Sequence, residues 1–303
     1  MPAQRTLIVL GYALMCAIWG TTWLAIRLSL HYVPPMTGVG VRFMFAGLIM
    51  FAVAGFTRIR ERPPWKVVIV LAISLFGLNY VLNYLAETHV SSGLTAVLFG
   101  TVPFFTFFFS HWLLEEPTTT RMWVGSVLAF AGVVIISILG GVSGSFWYML
   151  CAVGAGCSAA FANVYAKRHS HYAPLATLPP AMLIAGTAVA ILGLVFEHPS
   201  LSRLLAPQSV ALVLYMAIGG SAVTFFINMW LLQRISASVV ALSALIIPVI
   251  AVLVGVALGG ESFSARDVIG GVFVLGGIWF ALRDRKAAIE VQEDILPEAK
   301  RTA

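Results

Sequence analysis

The stretch TAVLFGTVPFFTFFFSHWLLEE (residues 95–116) carries a proline in the middle of a long apolar run and ends on two glutamates. A soluble core helix is amphipathic and avoids an interior proline, which removes a backbone hydrogen bond and kinks the helix. The pattern returns at 240–261, VALSALIIPVIAVLVGVALGGE. Pro248 stands 13 residues before Glu261, as Pro103 stands 13 before Glu116. A long apolar segment used twice points to a membrane protein built by duplication.

Composition agrees. Of 303 residues, 60% are hydrophobic and 10% charged, against roughly a quarter charged in an ordinary globular domain. Apolar blocks of about 20 residues match the length at which a helix crosses the bilayer hydrocarbon. They lack the polar–apolar alternation of barrel strands, so the fold expected is an all-α polytopic membrane protein. Ten spans are expected, at roughly 8–30, 36–56, 66–86, 91–114, 121–140, 146–167, 175–197, 207–231, 236–258 and 266–283. Links such as GGVSGS (140–145) are short, and the polar tail from about residue 284 is expected to lie in water. Arg5 precedes an apolar run that continues too far for a secretory signal and shows no small-residue cleavage site, so it reads as an uncleaved first span.

Charge sets the expected orientation. With the N-terminus inside, the inner segments hold Arg5, Arg58, Arg60, Arg62, Lys66, Arg121, Lys167, Arg168 and Arg234, and the tail adds Arg283, Arg285, Lys286, Lys300 and Arg301. That bias places both termini in the cytoplasm of a cell carrying the protein in its inner (plasma) membrane. The net charge of +6 is therefore a topology signal rather than a nucleic-acid surface. Cys16, Cys151 and Cys157 fall within spans without CxxC or Cys/His spacing, so core thiols are expected rather than a metal site or disulfides. No cofactor is called for.

Sliding the chain by 145 residues aligns Asn83 with Asn228, Pro103 with Pro248, Glu116 with Glu261, Gly125 with Gly270 and Gly132 with Gly277. A slide of 140 aligns Arg27 with Lys167 and Pro34 with Pro174. The domains expected are a first five-helix repeat over 1–143, a second over 144–283 and a polar tail over 284–303. A unit with an odd number of crossings re-enters the membrane upside down, giving the inverted repeats of many secondary transporters.

WGTTWLAIRL (19–28), the paired Pro-to-Glu spacing and the GxxxxxxG that follows resemble the EamA family of the drug/metabolite transporter superfamily, over roughly 10–140 and 150–283. The resemblance implies ten helices around a central cavity and the export of amino acids or other small metabolites by alternating access. It also implies that the first helix of each repeat, bearing Trp19 and Trp23 or Asn163 and Tyr165, faces the cavity.

Polar side chains inside spans are costly and become site candidates. In FGLNYVLNYLAE (76–87), Asn79 and Asn83 stack four apart, as do Tyr80 and Tyr84. Thr224 and Asn228 occupy the matching places in the second repeat. Amides on either side of a pseudo-symmetric centre suit a zwitterionic substrate, or hydrogen bonds between helices. Arg42, about six residues into its span, can attract a substrate carboxylate or snorkel toward a partner such as Glu87. The substrate-binding candidates are thus Asn79, Tyr80, Asn83, Tyr84, Asn228, Arg42, Trp19 and Trp23, with Pro103 and Pro248 as kinks or gates. Arg27 and Lys167 read as interfacial anchors, and Ser91, Ser92, Gly93, Ser236, Ala237 and Ser238 as close-packing positions.

Enzyme signatures are missing: there is no HExxH, Walker loop or nucleophile elbow. A channel calls for a continuous polar stripe, and a flippase for lipid-linked molecules fits the same fold. The partners expected are the bilayer and a small-molecule substrate, with no nucleic acid, the chain acting as a monomer or weak homodimer.

Overall fold

The computed structural model describes residues 2–90, 95, 98–138, 146–259 and 265–282. Their regular structure is helical throughout. Among the described residues, six helices are long and apolar enough to cross a membrane: Gln4–Ser29, Pro35–Phe56, Trp65–His89, Phe146–Arg168, Pro174–Phe196 and Pro207–Leu232. Apolar side chains also cover the outside, with Phe196 70% and Val272 65% exposed, as lipid contact requires and water would not tolerate over so large an area. The protein is a polytopic helical membrane protein.

The elements run α1 (Pro2–Ser29), α2 (Pro35–Phe56), α3 (Trp65–Leu71), a π-helical segment π1 (Ala72–Leu78), α4 (Asn79–His89), α5 (Val102–Leu114), α6 (Thr120–Ile138), α7 (Phe146–Arg168) and α8 (Pro174–Phe196). They continue as α9 (Leu201–Leu204), α10 (Pro207–Ala217), π2 (Ile218–Val223), α11 (Thr224–Leu232), α12 (Ala237–Ala241), α13 (Ser243–Gly259) and α14 (Ala265–Leu282). Prolines at the first turns of α2, α8 and α10 start those helices where the missing N–H costs nothing.

Glycines decide which helices lie closest. Along α2 and α8, a Cβ on Gly186 would fall 2.6 Å from Met44 N and one on Gly193 2.6 Å from Thr37 N, so the backbones pack without side chains between them. Both ends of this pair are also tied. The Glu197 carboxylate, just past α8, accepts from Met36 N, Thr37 N and Thr37 Oγ1 at 2.8–2.9 Å, capping α2. Glu61, beyond α2, accepts from Ala173 N at 2.7 Å where α8 begins. In α6 and α14 the glycines that the 145-residue offset aligns meet crosswise. A Cβ on Gly125 would reach Gly277 O at 2.5 Å and one on Gly132 would reach Gly270 O at 2.5 Å.

Several expectations about local structure change here. Pro103 lies in the first turn of α5, preceded by a turn at Gly100 and Thr101, so it opens a helix instead of interrupting one. Pro248 does lie inside a helix, α13, while Pro179 and Pro180, not singled out above, lie inside α8. The spans expected at 66–86 and 207–231 each contain a π segment, and the one at 236–258 breaks at Leu242. Lys167 is no simple interfacial anchor: its ammonium donates to Leu232 O at 2.7 Å and Ile235 O at 3.0 Å, closing the end of α11. Ser236 caps α12, its hydroxyl accepting from Val239 N at 3.3 Å. Ser91, Ser92, Gly93, Glu261 and the tail lie outside the described residues.

Candidate functional site

Between α1, π1, α4, α5, α7, α11, α12 and α13 lies a central cavity, about 710 Å³ of empty space including its open side. Trp19, Thr22, Trp23 and Ile26 line it from α1, and Asn79, Tyr80 and Asn83 from α4, with Leu75 from π1. Phe99 and Val102 come from the approach to α5 and its first turn, Ala159 and Asn163 from α7, Phe225 and Asn228 from α11. Val240, Ala241, Ser243, Ala244 and Ile247 complete it. Among the described residues, the lining holds no Asp, Glu, Lys, Arg or His.

The sequence offsets recur in this lining. Trp19 and Ala159, and Trp23 and Asn163, are 140 apart; Tyr80 and Phe225, Asn83 and Asn228, Phe99 and Ala244, and Val102 and Ile247 are 145 apart. π1 and π2 also lie 145 apart over most of their length, and each leads into the helix bearing the amides. A π turn shifts the ladder and leaves carbonyls to be satisfied elsewhere. Ser74 O in π1 receives the Ser158 hydroxyl at 2.7 Å. Gly220 O in π2 receives Arg42 Nη2 at 2.8 Å and Trp19 Nε1 at 3.3 Å. Pro248 withholds the N–H that Ala244 O would receive in a regular helix, and Ala244 lines the cavity.

The amides are unevenly satisfied. Asn228 Nδ2 donates to Asn163 Oδ1 at 2.7 Å, joining α11 to α7. Asn163 Nδ2 donates to Ala159 O at 3.0 Å and Asn79 Nδ2 to Leu75 O at 3.2 Å. The Oδ1 atoms of Asn79, Asn83 and Asn228 are buried with no hydrogen-bond partner. Buried amide oxygens are costly to leave so, which is the usual mark of a place where water or a ligand donates. Aromatic rings frame them. Trp19 meets Phe225 edge-on at 5.5 Å, Trp23 meets Phe99 at 5.8 Å, and Tyr80 stands 6.1 Å from Phe225.

Of the expected binding residues, Asn79, Tyr80, Asn83, Asn228, Trp19 and Trp23 come together around the cavity, while Arg42 and Tyr84 stand behind its wall. Arg42 turns inward rather than snorkelling to the surface and is 1% exposed. Its Nε donates to Ser221 Oγ at 2.8 Å and its Nη1 to Tyr84 OH at 3.4 Å, with the guanidinium 4.8 Å from the Tyr80 ring centre. Sequence reading missed Thr22, Phe99, Phe225 and Ser243. The offset itself carries a signal for Phe225, which stands 145 residues after Tyr80.

Comparison with known proteins identifies the family. The EamA-like transporter family matches residues 6–138 and again 146–283. The chain belongs to the EamA-like transporter family. It is 32% identical over 276 residues to the Escherichia coli K12 protein named uncharacterized inner membrane transporter YedA, covering 88% of this chain and 86% of that one. It is 26% identical to the Bacillus subtilis protein named uncharacterized transporter YoaV over 282 residues, 90% of this chain and 95% of that one. Similarity to the Salmonella typhimurium protein PagO is 26% over 298 residues, 94% of this chain and 96% of that one. One solved crystal structure superposes with a TM-score of 0.79 over 93% of this chain and 99% of the other, at 21% identity, which speaks for the fold alone.

Proposed function

We propose that this membrane transporter is a secondary carrier that exports a small metabolite, an amino acid by class, by alternating access. Ten spans form two inverted five-helix repeats over 1–143 and 144–283 in the inner membrane, with both termini cytoplasmic. The observation that carries this reading is the central cavity. It draws partners at the 140 and 145 offsets from both halves and presents buried amide oxygens without donors.

A carrier cavity must bind its solute through groups that are equally available from either side. Asn83 and Asn228, related by the offset, meet that need, and the unpartnered oxygens can accept from a substrate ammonium. The rings of Trp19, Trp23, Tyr80 and Phe225 supply apolar surface for a side chain and attract a cation through their faces. Among the described residues the lining gives no embedded carboxylate for exchanging protons against cationic drugs. Export and alternating access are supported by the family resemblance, and the inner-membrane setting by the name of the Escherichia coli relative.

Counterflow in proteoliposomes with a panel of labelled amino acids, with and without a pH gradient, tests the reading. Saturable exchange of one group without a gradient is expected. Fast, non-saturating flux overturns the carrier in favour of a channel. Silence across the panel overturns the substrate class and directs the search to lipid-linked molecules.

A further inference from the structure

The described residues of the cavity lining are neutral, yet a buried cation stands directly behind them. A Cβ built on Gly220 would lie 2.7 Å from Thr22 Cγ2 and 3.2 Å from Arg42 Nη2. Those two atoms are therefore at most about 6 Å apart, and Thr22 lines the cavity. Two lining side chains mediate the contact further: the Tyr80 ring lies 4.8 Å from the guanidinium, and Trp19 Nε1 shares the Gly220 carbonyl with Arg42.

The hydrogen-bond partners that Arg42 has are neutral: a serine hydroxyl, a tyrosine hydroxyl and a backbone carbonyl. Glu87 lies within electrostatic reach of both Arg42 and Arg27. Its carboxylate oxygens are buried without a hydrogen bond and give Arg42 none. Glu87 therefore offsets Arg42 only at a distance, through no hydrogen bond, and it is not part of the cavity lining. A fully buried guanidinium held only by neutral groups is expensive, and no acid among the described lining residues screens it from the cavity. Arginine keeps its proton in proteins, so the field is permanent.

We infer that Arg42 is a specificity-determining residue that acts through the cavity wall, so that the cavity favours ligands bearing a carboxylate or other anionic group and disfavours purely cationic ones. This rests on the reading of the cavity as the ligand passage, and it narrows the substrate class to solutes of zero or negative net charge. An ammonium can still sit on the amide oxygens when the same molecule carries a carboxylate toward Arg42. At roughly 8 Å and an effective dielectric of about 20, one unit charge changes occupancy by roughly 30-fold.

The test reads the field without any transport substrate. Cys16, Cys151 and Cys157 are replaced by alanine and Thr22→Cys is introduced. The thiol is then reacted with anionic sulfonatoethyl, cationic trimethylammonioethyl and neutral methyl methanethiosulfonates. The anion-to-cation rate ratio, normalised to a free thiol in solution, is expected to exceed unity by about tenfold or more. Arg42→Gln should bring it within about twofold of unity, while Arg42→Lys should restore most of it. A normalised ratio at or below unity with Arg42 in place overturns the proposal, whether or not Arg42→Gln folds. An elevated ratio that Arg42→Gln leaves unchanged overturns it as well. A thiol deaf even to the neutral reagent shows that the cavity admits no solute and sinks the passage with it. An elevated, Arg42-dependent ratio in a chain that moves no amino acid upholds the field and refutes only the amino-acid substrate.

Discussion

Asn83→Leu separates a ligand-binding amide from one that merely joins helices. Asn83 is 5% exposed in α4, and among the described residues its buried Oδ1 has no hydrogen-bond partner. Leucine keeps the same branched four-heavy-atom skeleton, is bulkier at its two methyl ends where the cavity leaves room, and has no polar atoms. If the amide's partners are solutes, replacing it removes no protein–protein bond and relieves the desolvation of an unpaired amide, which protein substitutions put at about 1–3 kcal/mol. Leucine also adds apolar burial at the cavity wall. The expected result is unchanged or higher stability, by about 1 kcal/mol, seen as a Tm a few degrees higher in detergent.

Transport should move the other way. One lost hydrogen bond to a charged group of the solute costs about 1.5–3 kcal/mol, which is roughly a tenfold to hundredfold fall in kcat/KM for exchange. The assay pairs counterflow kinetics with thermal unfolding on the same preparation. Asn228→Leu is the comparison, since it also breaks the 2.7 Å bond to Asn163 Oδ1 and should lose stability as well as transport. A fall in Tm with full transport in Asn83→Leu refutes the reasoning, because it shows the amide packing helices rather than meeting a solute.

Glu197→Ala removes the carboxylate that receives two N–H groups and a hydroxyl at the start of α2, and should lower stability by about 1–3 kcal/mol by thermal unfolding. Glu61→Ala, with a single 2.7 Å bond to Ala173 N, should cost less in the same measurement. Gly186→Val forces side-chain atoms onto Met44 N and the Phe43 backbone, and should cost at least about 1–3 kcal/mol or abolish the folded peak in size-exclusion chromatography. Lys167→Met frees Leu232 O and Ile235 O at the end of α11, and should raise hydrogen exchange over residues 232–236 while leaving α2 and α8 protected.

Much of the scaffold is written in residue type and spacing, because lipid reduces the problem to apolar length and helix-end chemistry. Gly125, Gly132, Gly270 and Gly277 could be aligned before any coordinates, and they are the positions where α6 and α14 touch. The amides of Asn79, Asn83 and Asn228 could be found because a polar group within an apolar run is rare and visible. What escaped depends on backbone register. A π turn inserts one residue's worth of ladder without demanding a particular side chain, so AISLFGL (72–78) and IGGSAV (218–223) read as ordinary span. The break at Leu242 and the late start of α5 escaped for the same reason, although Gly100 was a legible stop. Arg42 shows the limit most clearly. Its depth in the span follows from counting, but its direction follows from the carbonyl of Gly220, which π2 leaves for it to bind. The inward turn of that charge, behind the cavity wall, thus goes with a hydrogen bond that no spacing of residues announces.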